Sequence, residues 1–218
     1  MKNDSEPEAY LIHVWIRRIH PMLWRRFLVS SKCTLADLHF VLQIGFGWTD
    51  FHLHRFRIRK KDYAVPRLCG IACAHDAREV KLADLHFRTN ERFLYEYNFG
   101  DLWQLQLRIE ERSAIEPRRP YPVCVAGCWA GPPEGCGGPK AFLERRAAAP
   151  WRVAELLDEL LEDIKAGETE MLEDRLEELE LWREWLMLHR FDRRAVNHRL
   201  RQYVQGDQGW MNPLRSLR

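Results

Sequence analysis

Two alternating segments joined by a short turn are the strongest constraint on this chain. Phe93, Tyr95, Tyr97 and Phe99 fall on one face of the first segment, and Trp103, Leu105, Leu107 and Ile109 on one face of the second. Side chains alternate between the faces of a strand, so each segment carries one apolar face and one wet face. Gly100-Asp101 supplies the turn. The pattern predicts an antiparallel hairpin whose aromatic face something else must cover. Residues 10–18, 24–29 and 51–58 are also rich in β-branched and aromatic side chains and read as strands.

The cover is written a little upstream. Thr34 stands as an N-cap with Asp37 three residues on, and Leu35, Leu38, Val41 and Leu42 follow at helical spacing. Gly45 and Gly47 close the run, which predicts an amphipathic helix over 35–45. The hexapeptide Leu-Ala-Asp-Leu-His-Phe occurs at 35–40 and again at 82–87, but the flanks differ, so it reads as chance recurrence. Beyond Pro150 the apolar period becomes 3.6. Val153, Leu156, Leu157, Leu160, Leu161 and Ile164 make one stripe, and Met171 (or Leu172), Leu176, Leu179, Trp182, Trp185 and Leu186 make another beyond Gly167. Both stripes are expected to pack on the sheet, with self-association or partner docking as the competing use. Asp192 caps a last helix to about Val204, with Phe191 and Val196 placed as a hydrophobic staple.

The expected fold class is therefore α+β: a mainly antiparallel, aromatic-rich sheet with one packing helix and a C-terminal helical segment. Residues 1–9 are expected to be disordered and 10–205 to form one domain (sheet part 10–130, loop 130–140, helical part 141–205). A frayed tail is expected over 206–218.

No stretch is apolar enough to cross a membrane, and Met1–Glu8 is polar and acidic, unlike a signal peptide. A cytoplasmic protein is the expectation. Cys33, Cys69, Cys73, Cys124, Cys128 and Cys136 then read as thiols or metal ligands and not as a disulfide framework. The net charge of +2 hides segregation. Residues 1–72 carry 12 Lys/Arg against 6 Asp/Glu, 151–189 carry 4 against 13, and 190–218 carry 7 against 2. A basic front, an acidic helical segment and a basic tail offer internal complementarity or a basic face for a partner.

Pro120-Tyr121-Pro122-Val123-Cys124, and then Ala130-Gly131-Pro132-Pro133-Glu134-Gly135-Cys136-Gly137-Gly138, cannot be regular structure throughout. Locked prolines and permissive glycines shape such a loop, and shaped loops tend to carry sites. With this loop in place, five patches keep a common order: Trp24-Arg25-Arg26, then residues 34–39, then Gly45-Phe46-Gly47-Trp48 with His52-Leu53-His54, then Tyr97–Asp101 with Trp103, and finally the Pro-Pro-Glu-x-Cys-Gly-Gly loop. Together they resemble the plasmid Ri open-reading-frame-three-like family, also labelled passenger TnpR-like proteins of insertion elements. The resemblance implies an α+β fold and mobile-element association. It does not imply recombinase chemistry, because no serine sits among arginines near the N-terminus as a serine resolvase requires. It also implies three departures here: Asn98 and Gly135 where relatives often have Asp, and Leu105 where they often have His.

Glu134 is the leading functional candidate, since Pro132-Pro133 hold it stiffly without any turn requirement. Asp101, Trp103, Pro133, Cys136 and Gly137 belong to the same pocket. His52 and His54, two apart on a predicted strand, can face a metal or an anion from one side. His39 reads as structural. Arg55, Arg57, Arg59, Lys60 and Lys61 form a basic row suited to tracking phosphates, or an edge strand protected by charge. Cys124, Cys128 and Cys136, like Cys69 and Cys73 with His75, have spacings that zinc tolerates, although no cofactor is predicted. The expected function is a non-enzymatic binding or accessory protein with an unidentified protein or nucleic-acid partner, no membrane, and self-association through the C-terminal helices as an option. The alternatives are a metal-dependent hydrolase-like enzyme, with its pocket at the hairpin turn and the Pro/Gly loop, and a nucleic-acid-binding protein using the basic strand face.

Overall fold

The computed structural model describes residues 7–66, 75–168 and 172–211. Its strands are β1 (Glu8–Ile16), β2 (Trp24–Ser30), β3 (His54–Ile58), β4 (Lys61–Ala64), β5 (His75–Asp76), β6 (Arg92–Tyr97), β7 (Trp103–Ala114) and β8 (Val123–Cys128). They form one sheet in the order β5-β4-β3-β6-β7-β1-β2-β8, antiparallel except for the β4–β5 pair. The predicted hairpin is β6–β7, with Tyr95 opposite Leu105 and Tyr97 opposite Trp103. Phe93, Tyr95, Tyr97, Trp103, Leu105, Leu107 and Ile109 are all buried on one side of it, and Phe99, beyond the end of β6, is partly buried. Strand β3 starts at His54, so residues 51–53 precede it and are not part of it.

Helix α1 (Leu35–Phe46) covers the aromatic face. Thr34 accepts from the Asp37 backbone N–H while the Asp37 carboxylate accepts from Thr34, a reciprocal box that fixes the start. Gly47, at φ 80°, ends the helix. The expected amphipathic helix is in fact buried on nearly every side, Gln43 and His39 included. It lies between the sheet and a C-terminal helix, so its polar residues must find partners inside the protein. The second copy of the hexapeptide folds differently. Leu82–Leu85 makes a single 3₁₀ turn that stops at His86, φ 44°.

One buried cation ties the layers together. Arg25 of β2 is 1% exposed and, among the described residues, has no carboxylate beside it. Its guanidinium donates to the carbonyls of Gly45 at 2.8 Å, Trp24 at 2.7 Å and Cys128 at 2.9 Å. It also stacks on the rings of Phe191, 3.9 Å from the centroid, and Phe46, 5.1 Å away. Gly45 lies in the last turn of α1, where unpaired carbonyls and the helix dipole favour a cation. Burial pulls Arg25 down to about 9, which still leaves it charged at neutral pH.

The C-terminal helices are α2 (Gly138–Ala166), α3 (Leu172–Leu186) and α4 (Arg193–Val204). Helix α2 begins three residues before the boundary expected at 141 and runs straight through Pro150. Gly137 and Gly138 take φ of 87° and 83° to turn the chain into it, and Pro139 sits in its first turn. Helices α2 and α3 pair with each other instead of lying on the sheet. Arg152 reaches Glu178 at 3.0 Å, and Arg175 holds Asp163 at 2.5 Å and also Glu159. Phe142 docks the start of α2 between Trp103 and Trp185, and Ala149 and Leu156 are buried further along. Leu157, Leu161, Ile164, Leu176 and Leu181 stay exposed.

Helix α4 closes the sheet. Asn197 accepts from Cys124 N–H at 2.7 Å and donates to Cys124 C=O at 2.9 Å, occupying the open side of β8 as another strand would. Asp192 caps α4 through Ala195 N–H as expected, and Tyr203 donates to Asp37 of α1 at 2.9 Å. The tail expected to fray from Gly206 is docked as far as Met211. Trp210 is 5% exposed and packs on Phe40 and Tyr203.

Replacing Arg25 by Met keeps the bulk but orphans three buried carbonyls, a loss of about 3 kcal/mol or more. Arg57→Ala, which breaks an exposed pair with Asp62, should change stability by less than about 0.5 kcal/mol. Urea unfolding of both variants measures the contrast, and equal effects would contradict the role given to Arg25.

Candidate functional site

The Pro/Gly loop places Glu134 against the aromatic seam, and both carboxylate oxygens are engaged. One accepts from the Thr49 backbone N–H at 3.0 Å and the Thr49 hydroxyl at 2.5 Å, and the other from the Tyr97 phenol. The neighbouring Pro132 carbonyl accepts from Trp48 Nε1 at 3.0 Å. Gly131 makes this approach possible, because a Cβ there would lie 1.7 Å from the Phe46 carbonyl oxygen. Burial pushes the Tyr97 phenol well above its ordinary value, and its hydrogen bond to Glu134 pushes the same way.

Asp101 sits on the other side of the loop, with its backbone packed on Gly138. A Cβ at Gly138 would lie 2.5 Å from the Asp101 carbonyl oxygen. Cys136 is buried nearby and is raised to about 11, by burial first and then by the Asp101 charge. Trp103 is a core residue between Trp48 and Phe142. Pro133 is partly buried, and Gly137 is the exposed residue leading into α2. Of the three family departures, Asn98 takes φ 52° and its side chain accepts from Asp101 N–H, Leu105 is fully buried, and Gly135 takes φ 75° with open space around it.

The two histidines part company. His52 lies before β3; its backbone N–H donates to the Tyr97 hydroxyl at 3.4 Å and its ring meets the Tyr97 ring edge-on. His54 is 3% exposed and stacks on His39 with centroids 3.6 Å apart and planes 11° apart. His39 hydrogen-bonds Asp50 Oδ1 through Nε2 at 2.8 Å and the Tyr95 hydroxyl through Nδ1 at 2.7 Å. Gln43 donates to that hydroxyl at 2.9 Å and accepts from Asp50 N–H at 2.9 Å. Among the described residues, the one group of three or more His, Cys, Asp or Glu side chains with metal-ligand spacing is His39, Asp50 and His54. It includes neither Glu134 nor Asp101, and none of Cys124, Cys128 and Cys136. Cys69 and Cys73 lie outside the described residues.

The three arginines of the basic row are paired with carboxylates. Arg55 holds Glu96 at 2.6 Å and Asp62 at 3.3 Å, Arg57 holds Asp62 at 3.2 Å, and Arg59 holds Glu91 at 2.7 Å. Arg59 and Lys60, at φ 48° and 67°, are the two turn residues between β3 and β4, and Lys61 opens β4. A different basic site forms at the far edge, five strand spacings or about 24 Å away. There Arg119, Arg193, Arg194, Arg201 and Asn197 line a cleft of about 540 Å³ against Val123, Cys124 and Val125. Arg193 donates to the Val125 carbonyl and Arg119 pairs with Glu116. Among the described residues neither Arg194 nor Arg201 has a carboxylate partner.

An eight-stranded sheet with a buried helix clamped by a Pro-Pro-Glu loop and a sheet edge capped by a C-terminal helix defines an α+β protein of one recognisable type. The chain belongs to the plasmid pRiA4b ORF-3-like protein family, whose pattern spans residues 8–199. It is 33% identical over 134 residues to the uncharacterized protein y4hQ of Sinorhizobium fredii, covering 61% of this chain and 69% of that one. The crystal structure of MM3350, a protein of unknown function from Methanosarcina mazei Go1, superposes with a TM-score of 0.62 at 27% identity, over 88% of this chain and 98% of that one. No described helix is long and apolar enough to cross a membrane.

Sequence reasoning passed over Asp50 and ranked His39 as structural, since their partners lie in other elements. The spacing of Arg194 and Arg201, seven residues apart on one helix face, was the available signal for the cleft. Two outcomes test the clamp. Glu134→Gln replaces one acceptor oxygen with a donor and should lower stability by about 1–3 kcal/mol. Tyr97 and Tyr203 hold their protons above the ordinary phenol value of 10.0, so above about pH 10 the unfolded chain releases protons that the folded one keeps. Stability is thus fully present below about pH 10 and falls above it, and Tyr97→Phe should make that decline shallower in urea titrations across this range.

Proposed function

We propose that this protein is a non-enzymatic binding protein that holds the phosphate backbone of a nucleic acid in the arginine cleft between β8 and α4. The observation that carries this reading is four guanidinium groups lining one cleft, two of them without a carboxylate partner among the described residues. Guanidinium forks match phosphate oxygens, and several together release condensed counterions on binding. Asn197 is already committed to the β8 backbone, so it fixes the cleft wall and leaves the arginines to face outward.

A catalytic use of the Pro/Gly loop has less support. Glu134 makes three hydrogen bonds that hold Thr49 and Tyr97, and it does not group with Asp101 or either histidine at metal-ligand spacing. Such a carboxylate shapes the loop.

Fluorescence anisotropy with labelled single- and double-stranded DNA tests the reading. Binding at about 50 mM salt should weaken with a log–log salt slope of about −3, and the Arg194→Ala/Arg201→Ala variant should reduce that slope by about 2. Absence of binding at that salt, or binding that the double variant leaves unchanged, would overturn it.

A further inference from the structure

We infer that His39, Asp50 and His54 form a binding site for a divalent first-row cation, with zinc the best chemical fit. One ligand atom from each residue lies within 4.8 Å of the other two. The three come from three elements: the middle of α1, the loop after it and the first residue of β3. Two imidazole nitrogens and one carboxylate oxygen are a borderline donor set that suits zinc and its neighbours and disfavours magnesium or calcium, which take oxygen. Zinc bonds of about 2.0–2.1 Å place the ligand atoms of a tetrahedral site about 3.3 Å apart. His39 Nε2 and Asp50 Oδ1, at 2.8 Å, need to open slightly, and His54 needs to approach by no more than about 1.5 Å and to turn out of its stack on His39, because an imidazole binds a metal in its ring plane and the two planes now lie 11° apart.

The surroundings are those of a ligand site held from behind. Both histidines are almost fully buried, and Asp50 is the partly exposed member, its side chain 17% accessible, so a cation enters beside it. Asp50 takes φ 60°, and its backbone N–H is held by Gln43. That fixes the carboxylate toward His39 even though it sits in a loop. On the far side of the His39 ring, Tyr95 accepts a hydrogen bond from Gln43 and contacts Nδ1. A metal-bound histidine needs a partner of this kind for its second nitrogen, to orient the ring and set its tautomer.

The same chain of groups makes the site readable. Without a cation, the order Gln43 to Tyr95 to His39 to Asp50 lets the phenol donate to Nδ1, so the His39 proton sits on Nε2 and is donated to Asp50. A cation on Nε2 displaces that proton. His39 must then carry it on Nδ1, donating to Tyr95, whose oxygen can accept from both Gln43 and His39 while its own O–H rotates away from the ring. Cation binding therefore switches the His39 tautomer.

The test is titration of the whole protein with Zn²⁺ and Co²⁺, read by bound metal per chain, Co²⁺ ligand-field absorption and imidazole ¹⁵N shifts. Stoichiometric metal, with the His39 proton moving from Nε2 to Nδ1, is the expected result. Asp50→Asn keeps an oxygen to accept from His39 and should lower cation affinity at least about 100-fold, and Tyr95→Phe about 10- to 100-fold. Replacing Cys124, Cys128 and Cys136 together by Ser should leave affinity unchanged. Should Asp50→Asn fail to fold, the tautomer reading in the wild-type protein decides. No metal above background, an unmoved tautomer, or metal that follows the cysteines would overturn the site.

Discussion

The guanidinium of Arg25 is the interaction on which the other layers depend. It sits where β2, the end of α1, β8 and the entry to α4 converge, and it reaches each of them through a carbonyl or a ring. A buried cation without a counter-ion is costly unless dipoles replace its water. Three carbonyls and two aromatic faces do so here, one carbonyl belonging to the negative end of a helix. No apolar side chain satisfies those carbonyls, so Arg25 specifies how α1 sits on the sheet as well as filling space. The position of α1 in turn sets the polar seam, because His39 and Gln43 point inward from it.

That seam and the arginine cleft occupy different parts of the molecule and have different characters. In the seam, nearly every polar group is held by another across α1, the loop at 49–54, strand β6 and Glu134. It is largely buried. The cleft lies at the sheet edge, on a helix that closes β8 through Asn197, and its charges face solvent. A self-satisfied polar interior beneath a charged, accessible edge is the arrangement on which the proposed binding of a polyanion rests.

What local patterns encode was legible in the sequence. The hairpin declared itself through alternation, and α1 through Thr34 and Asp37, since both signals lie within a few residues. The start of α2 was not, because Gly137-Gly138-Pro139 reads as loop until the left-handed glycines are seen to aim the proline into a first helical turn. Pro150 concealed the helix further, as proline ordinarily marks a beginning or a break and here lies inside. The repeated hexapeptide makes the same point: six identical residues form a helix where apolar spacing continues and a single turn where it does not. The His39 contacts depended on neighbours 11, 15 and 56 residues away in sequence, which no local pattern announces. The pairing of Arg55 and Arg59 with carboxylates was equally hidden, since Glu96 and Glu91 come from another part of the chain.

The proposed nucleic-acid binding at the sheet edge is tested most directly by mapping amide chemical shifts during titration with a short DNA duplex. Shifts confined to 119–125 and 193–201, with residues 49–54 and 129–138 undisturbed, are the predicted result. Shifts centred on Glu134 and the Pro/Gly loop, with α4 silent, would contradict it and place the ligand at the loop.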